Sequence, residues 1–555
     1  MSSADDRLHQ YRARVFAERD NLLSALSDVR AHQQRVLTDM LQFNAGTEFG
    51  RAHDFARVRT LDDFRKAVPI NDYAALSPWI ERMASGAHGV LTADDPAVYF
   101  TSSGSTGAHK KVPVTPRFMK TTFFPFYYAA WAPLAHHFPD VLTAPDRVLN
   151  LKHDLLAAPP TTASGHAHVG ASQVDFGTRF GEPLSAEPGT SAPWATLPVP
   201  VAADDHLEKT YLRLRLAVEH DVRCVVGINP AMVAALPHQL AQWWPRILRE
   251  VRDGTVGGAR LRSPNPERAA ELSRLADHFG VIRPSLVWPN MRVIFGWTTG
   301  VASLYLSRLR EEFGPGVALL PAPVAASEGP VGVALDRHRT AGSLVVTASV
   351  YEFVDADLDP GPDVPVLDHD ELEPGRDYHV VFSHVGGLYR YAVGDVVQVV
   401  DRVAGVPRVE YAGRATRSNA VGERLRDGQV VRALAAASTG TGLDVDNAAC
   451  RVADPGAGPR RYDFAVAART PWHASEVERF AALLDAGLAR RAEGYRSARD
   501  RGALGPPRVL TVDTGSFVRD WQDDVARGVR PTQVKDRIFR QDPGLWHRLT
   551  GEEVQ

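Results

Sequence analysis

Thr101, Ser102, Ser103, Gly104, Ser105, Thr106 and Gly107 follow two apolar residues, Tyr99 and Phe100, and the basic pair Lys110 and Lys111 comes three residues later. These residue types suit a loop that cradles a polyphosphate. Glycines let the backbone turn so that successive N–H groups converge on an anion, hydroxyls add neutral donors, and lysine supplies charge. The spacing differs from a P-loop, in which lysine directly follows the second glycine of GxxxxG. Here Ala108 and His109 intervene. Clusters of Ser, Thr and Gly are also common as plain solvated turns, so the other chemistry-bearing residues must decide.

Three further positions stand out. Glu328 closes the apolar run VALLPAPVAAS; taken alone it reads as a solvated loop acid. Asp395 follows Gly394 in YRYAVGDVV, where an aspartate is most often a turn former, although its carboxylate suits a sugar diol. Lys535 sits in the polar stretch RPTQVKDRIF, where a lysine ordinarily faces solvent. His153, Asp154, His166 and His168 match no standard metal-ligand spacing and read as surface residues.

The elements that must position these residues are legible in outline. Residues 6 to about 42 carry apolar side chains at helical spacing, as one amphipathic helix broken at most once. The aromatic stretch Phe118 to Trp131 reads as a core helix with a secondary possibility of lining an apolar pocket. RCVVGINP reads as a buried strand entering a turn before a helix over 231–252, with further β/α units at Met291–Ile294 and from Val317 to Glu328. This alternation predicts a mostly parallel sheet with ligands at the strand ends.

Beyond Glu328, short segments such as DYHVVFSHVG and LYRYAVGDVVQVV predict an antiparallel sheet or small barrel. Gly413 to Leu425 is polar and reads as flexible, and the composition then resets, which divides the chain into residues 1–413 and 414–555. In the second part Ser475 with Glu478 reads as a capping box before a helix striped by Val477, Phe480, Leu484 and Leu488. The fold class is α/β.

Composition excludes several classes. The 555 residues imply three or four structural units at roughly one per 150 residues. With 63 Lys and Arg against 66 Asp and Glu, the net charge is −3, so no overall field recruits nucleic acid or an anionic membrane. Cys224 and Cys450 are too far apart and too apolar in context for a metal site or disulfide framework. The charged first 20 residues contain no apolar core of a signal peptide, so a cytoplasmic protein is expected, a monomer or weak homodimer.

Together these segments resemble the acyl-adenylate-forming superfamily, and within it the acyl acid amido synthetases that conjugate plant hormones such as auxin and jasmonate to amino acids. NAGTEFGRAHDF and FRKAVPINDY are similar to that family's entry sequence, TSSGSTG to its phosphate loop and WPN at 288–290 to its central strand approach. SEG at 327–329 resembles the end of its second ATP motif, YRYAVGDVV its third, and QVKDR its C-terminal lysine segment. The set runs in order over nearly the whole chain.

The resemblance implies a large adenylate-forming domain, a small antiparallel β subdomain and a mobile C-terminal α/β domain. It implies that ATP and Mg²⁺ are used to activate a small carboxylic acid as acyl-AMP, which an amine or amino acid then attacks to form an amide. Ser102, Ser103, Gly104, Ser105, Thr106 and Gly107 would hold phosphate, with Lys110 or Lys111 as counter-charge. Glu328 would hold Mg²⁺, Asp395 the ribose hydroxyls, and Arg414 ribose or phosphate. Lys535 would bridge the acid and the α-phosphate, where two unit charges 4 Å apart repel by about 4 kcal/mol at an effective dielectric near 20.

Departures from the family pattern carry expectations too. Val324, Ala325 and Ala326 stand where the family usually has a tyrosine that stacks on adenine, which leaves aliphatic packing or Tyr391. Thr416 occupies the hinge position often held by an acid or lysine. The loop text lies nearer to generic adenylate formers, so an acyl-CoA ligase remains an alternative. A non-catalytic binding protein is a third reading, disfavoured by the joint presence of Lys535, Glu328 and Asp395.

Overall fold

A computed structural model describes residues 4–103, 109–151, 159–181, 187–454, 456 and 458–551. The chain forms two compact units, one from residues 1–142, 152–191 and 320–415, the other from 143–151, 192–319 and 416–555.

In the first unit the N-terminal helical pattern is broken once, giving Ala4–Ala25 and Val29–Asn44, where Asp28 caps the second helix by accepting from the Ala31 N–H. The loop strand Val98–Ser103 lies between an antiparallel partner, His109–Val114, and a parallel one, His168–Val169. Antiparallel pairing places Ser102 opposite Lys110. Successive strand residues face opposite sides, which sends Lys110 and Lys111 in different directions.

The same unit carries a seven-stranded sheet in the order Val324–Ala326, Gly329–Val333, Gly342–Leu344, Val406–Arg414, Leu388–Val403, Asp377–His384, Val350–Asp355. Every neighbouring pair in it is antiparallel. That is the sheet the alternating text after Glu328 predicts. The expected β/α unit from Val317 to Glu328 is divided differently: one strand, Ala318–Pro321, joins the parallel sheet, and Glu328 lies in a hairpin turn between Val324–Ala326 and Gly329–Val333. Pro321 and Pro323 interrupt the apolar run and forbid one continuous ladder.

The second unit contains the parallel sheet Val148–Asn150, Cys224–Val226, Val293–Gly296, extended by Ala318–Pro321. Its inner strands are buried throughout, as strands covered on both faces must be. The helix Pro230–Asp253 follows with Asn229 as its cap and Gly254 at φ 69° ending it. A second sheet, Val445–Ala453, Arg461–Ala468 and Arg508–Asp513, packs against Ala474–Arg491 through fully buried Phe480, Leu484 and Leu488. The capping box of that helix is His473 with Glu476, whose carboxylate accepts from the His473 N–H at 2.8 Å. Ser475, expected as the cap, falls inside the first turn.

The polar run 413–425, read as flexible from composition, is stitched down instead. Glu423 is 1% exposed and accepts from the N–H groups of Ala420 and Val421 at 2.7 and 2.8 Å and from the Tyr462 hydroxyl. Polarity here reflects an internal hydrogen-bond network rather than solvation.

Candidate active site

The first unit brings Ser102, Lys110, Glu328, Tyr391, Asp395 and Arg414 into one electrostatic neighbourhood. Glu328 is 4% exposed, so the solvated loop acid expected from sequence alone is a buried carboxylate. Its turn is fixed from two sides. Ser102 Oγ donates to Glu328 Oε1 at 3.2 Å, and Ser327 Oγ donates to the Thr101 carbonyl at 3.4 Å. From the other side His384 bonds the Glu328 carbonyl at 2.8 Å.

His384 has a defined tautomer. Its Nδ1 accepts from the Gly386 N–H at 3.1 Å, so Nε2 carries the proton donated to Glu328. Burial lowers its pKa to about 4. A neutral imidazole therefore supports the acid at neutral pH without pairing with it. No motif pointed to this residue.

Desolvation pushes the Glu328 pKa up, opposed by Lys110, a backbone hydrogen bond and Ser102, with Asp395 adding like-charge repulsion. A buried carboxylate compensated only in part is the donor a small divalent cation needs, since Mg²⁺ takes oxygen ligands and is commonly bound through one or two carboxylates with phosphate and water. The site fits that ion, with Glu328 as the residue that would hold it.

The two lysines separate. Lys111 Nζ pairs with both Glu81 oxygens at 2.6 and 2.8 Å. Lys110 Nζ lies 5.2 Å from the centre of the Tyr73 ring and is the charge that lowers the Glu328 pKa. Gly104, Ser105, Thr106 and Gly107 lie outside the described residues; Ser103 ends the loop strand.

Three sequence segments meet here through backbone bonds. Asn71 of PINDY donates its N–H to the Arg390 carbonyl at 2.8 Å and its amide to the Tyr389 carbonyl at 2.9 Å, and accepts from the Ala392 N–H at 2.8 Å. Asp72 then caps the helix Tyr73–Ala84, and the Tyr73 hydroxyl accepts from the Lys111 N–H at 2.8 Å. Arg390 is structural: it is buried, held at φ 42°, and its Nε donates to Glu352 at 2.9 Å. Tyr73 and Asn71 were not singled out from sequence; their signal was only their place in the PINDY text.

Tyr391 is 1% exposed and packs beside Phe382. At that exposure its ring has no open face on which adenine could stack, contrary to expectation. Its buried hydroxyl has no hydrogen-bond partner among the described residues; burial raises its pKa, and Glu328 is the charge that adds most to that rise. Asp395 follows Gly394, which has φ 84°, and pairs across the ladder with Arg414. Arg414 Nε lies 3.6 Å from Asp395 Oδ1. Burial works against the guanidinium charge, but Asp395, Tyr411 and Glu328 hold its pKa above the ordinary value.

Lys535 belongs to the second unit. Its Nζ lies 5.0 Å from the centre of the Trp297 ring. The backbone around it is strapped: Asn229 Nδ2 donates to the carbonyls of Pro531 and Val534 at 3.1 and 2.7 Å, Tyr305 donates to Asp536 at 2.7 Å, and the Cys450 N–H donates to the Ile538 carbonyl at 2.6 Å. Burial raises the Asp536 pKa, opposed by the Tyr305 hydrogen bond.

Among the described residues Asp368, Asp370 and Glu371 form a carboxylate cluster away from these groups, already paired with Arg65 and Arg30. No helix among them is long and apolar enough to cross a membrane.

Comparison with known proteins gives these groups a common context. The chain is 28% identical over 428 residues to a probable indole-3-acetic acid-amido synthetase, GH3.12, of Oryza sativa subsp. japonica, covering 69% of this chain and 68% of that one. It is 26% identical over 419 residues to the jasmonoyl–L-amino acid synthetase JAR6 of Nicotiana attenuata, covering 69% of each. The solved structure of the acyl acid amido synthetase AtGH3.15 in complex with 2,4-DB superposes with a TM-score of 0.76 at 20% identity, over 96% of this chain and 95% of that one, which establishes the fold. Models of the N-terminal, central and C-terminal domains of one family match residues 18–318, 342–414 and 428–543. The segments run in order and enclose Ser102, Lys110, Tyr391, Asp395, Arg414 and Lys535, with Glu328 between the first two segments, and the chain belongs to the GH3 family.

Proposed function

We propose that this protein is an ATP-dependent amide synthetase. A carboxylate of a small organic acid attacks the α-phosphorus of ATP and pyrophosphate leaves; an amine, such as that of an amino acid, then attacks the acyl-AMP and AMP leaves. The named activities of its relatives, which join indole-3-acetic acid or jasmonate to amino acids, support the reaction class. The observation that carries it here is Glu328: a buried acid, fixed at a turn by Ser102 and His384, facing Lys110 on the strand that leaves the Ser/Thr/Gly loop.

In this reading the loop residues Ser102 to Gly107 and Lys110 bind phosphate, while Lys111 stays with Glu81. Asp395 accepts from the ribose hydroxyls and Arg414 neutralises it or a phosphate. Glu328 holds Mg²⁺, which when bound offsets phosphate charge as a Lewis acid. Lys535 supplies positive charge where the attacking carboxylate meets the α-phosphate.

Residues 414–555 rotate against 1–413 between the two half reactions, with the pivot near Thr416; the change of family segment between 414 and 428 supports that division. Two free, buried thiols suit a reducing, cytoplasmic setting.

The test is pyrophosphate release from ATP and Mg²⁺ against indole-3-acetate, jasmonate, benzoate and fatty acids, each with and without mixed amino acids or CoA. Acid-dependent release that accelerates with amino acids is the expected result. Acceleration by CoA alone would replace the amide reading with a thioester one. Silence with every acid, together with no calorimetric ATP binding, would remove the adenylation reading altogether.

A further inference from the structure

We propose that Tyr73 is the positioning residue that assigns the two adjacent lysines of the loop strand to different work, keeping Lys110 beside Glu328 while Lys111 is drawn away. The assignment rests on the reading of Lys110 as a phosphate-binding charge, and deepens it.

Neighbouring residues of a strand leave on opposite faces, and the pairing settles which face each lysine takes. Lys110 stands opposite Ser102, whose Oγ bonds Glu328, and Lys111 stands opposite Thr101. The strand His109–Val114 lies at the edge of its three-stranded sheet, and the Lys111 N–H, which would bond a further strand, donates instead to the Tyr73 hydroxyl at 2.8 Å. A side chain of the helix Tyr73–Ala84 thereby closes an edge that would otherwise be open to pairing with another chain.

That bond also orients the ring. A phenol fixed at its hydroxyl and at its Cα has little freedom to swing, and the ring centre then lies 5.2 Å from Lys110 Nζ, within the range at which an ammonium is drawn to an aromatic face. Tyr73 therefore touches both lysines, the backbone of one and the charge of the other. Glu81, eight residues further along the same helix, takes Lys111 Nζ at 2.6 and 2.8 Å. One helix thus sorts the pair: its first residue meets the lysine that acts on Glu328, and its acid, about two turns later, holds the other. The opposite charge of Glu328 and the Tyr73 ring act on the Lys110 ammonium from two different elements, so its four-carbon stem has two points of reference.

The start of the helix is tied to the other end of the site. Asn71 bonds the backbone of Tyr389, Arg390 and Ala392, on the strand that continues to Asp395, and Asp72 caps the helix by accepting from the Ala75 N–H at 2.9 Å. Three consecutive residues, 71 to 73, thus span from the strand of Asp395 to the strand of Lys110.

The experiment uses the full-length protein and reads both lysines. Pulsed acetylation with an N-hydroxysuccinimide ester, followed by fragment-ion mass spectrometry that separates Lys110 from Lys111, compares wild type, Y73F and Y73L, with the exposed Lys120 as internal reference. Y73L is expected to label Lys110 at least about fivefold faster while Lys111 stays within roughly twofold; Y73F, which keeps the aromatic face and loses only the hydroxyl bond, is expected to fall between wild type and Y73L at Lys110. In ATP–pyrophosphate exchange, with the acid that responds in the panel above, kcat/KM is expected to fall about fivefold in Y73L and to recover at least half of that loss in Y73F. In a K110M background the Y73L change is expected to cost less than about twofold more, because a residue that acts through Lys110 then has nothing left to position.

Equal Lys110 labelling in wild type and Y73L would overturn the seat. A loss in the K110M background as large as in wild type would make Tyr73 a structural residue and overturn the positioning role. If K110M exchanged as well as wild type, the phosphate-lysine reading would fail, while the labelling ratios would still report whether Tyr73 sorts the pair.

Discussion

The surroundings of Glu328 and of Lys535 hold their charges by opposite means. Glu328 is locked by its own atoms: an oxygen bonded by Ser102, a carbonyl bonded by His384, and almost no exposure. Lys535 is locked through its neighbours, with bonds to the carbonyls of Pro531, Val534 and Ile538 and to the Asp536 carboxylate, while its ammonium rests on a ring. The first arrangement ties chemistry to folding, because disturbing the acid disturbs buried contacts. The second separates them, because a lysine side chain can be changed without loosening the strap. Stability and activity should therefore respond together in one region and independently in the other.

The largest effect expected is at Lys535. Lys535→Ala should lower the rate of acyl-AMP formation by about 10²–10³, the size of a lost transition-state electrostatic contact, with ATP affinity and thermal midpoint close to wild type. Rapid-quench measurement of acyl-AMP alongside calorimetric ATP titration checks this. A parallel loss of ATP affinity would break the contrast.

Glu328→Gln should show coupling instead. The wild-type carboxyl has a raised pKa in the fold, so its contribution to stability is present below the unfolded value and is lost as pH rises through the folded one. Removing the charge should then stabilise the ligand-free protein at pH 8 by roughly 1–2 kcal/mol, with little gain at pH 4. It should also raise the Mg²⁺ concentration needed for half-maximal activity. Denaturant midpoints at the two pH values and a Mg²⁺ titration test both halves, and a variant less stable at pH 8 would contradict the assignment of the burial cost.

His384 sharpens the same side. Its folded pKa of about 4 lies below the ordinary 6.5, so the stability it supports is complete above pH 6.5 and falls as pH drops toward 4. The full difference is about 3 kcal/mol. Urea midpoints across that window should show the decline in wild type and a shallower one in His384→Asn; identical slopes would remove His384 as the source.

The smallest effect separates the two lysines of the loop strand. Lys110→Met should reduce adenylation by roughly tenfold, whereas Lys111→Met should cost under about 1 kcal/mol of stability, as partly exposed pairs do, and leave adenylation near wild type. Steady-state kinetics on both variants decides it. Equal losses would mean that the pairing of Lys111 with Glu81 gives way in the working enzyme.

Much of this was readable before any coordinates. Hydrophobic alternation located the antiparallel sheet and apolar runs located the parallel strands, while the order of the motifs pointed to the family. What the text hid was mostly polar. Glu328 reads as solvated because nothing nearby in sequence covers it; Ser102 and His384, which do, are 226 and 56 residues away. Glu423 misled in the same way, since a polar run whose bonds are internal is indistinguishable in composition from one that faces water. Tyr391 failed for a further reason: strand alternation predicts that faces differ but not which face a neighbouring sheet or segment covers. Even a local rule slipped: the capping box before Ala474–Arg491 is His473 with Glu476, two residues ahead of the expected Ser475 with Glu478.

The two cysteines give a practical handle on the proposed rotation. Both are buried completely, and burial keeps their thiols protonated, which leaves the protein without a reactive sulfur of its own. A cysteine introduced at Arg57, 84% exposed, and another at Glu493, 85% exposed, would be the only sites a maleimide dye finds. The wild-type background thus arrives ready for a two-colour ruler, and energy transfer between the dyes could follow each turnover without first stripping the molecule of native thiols.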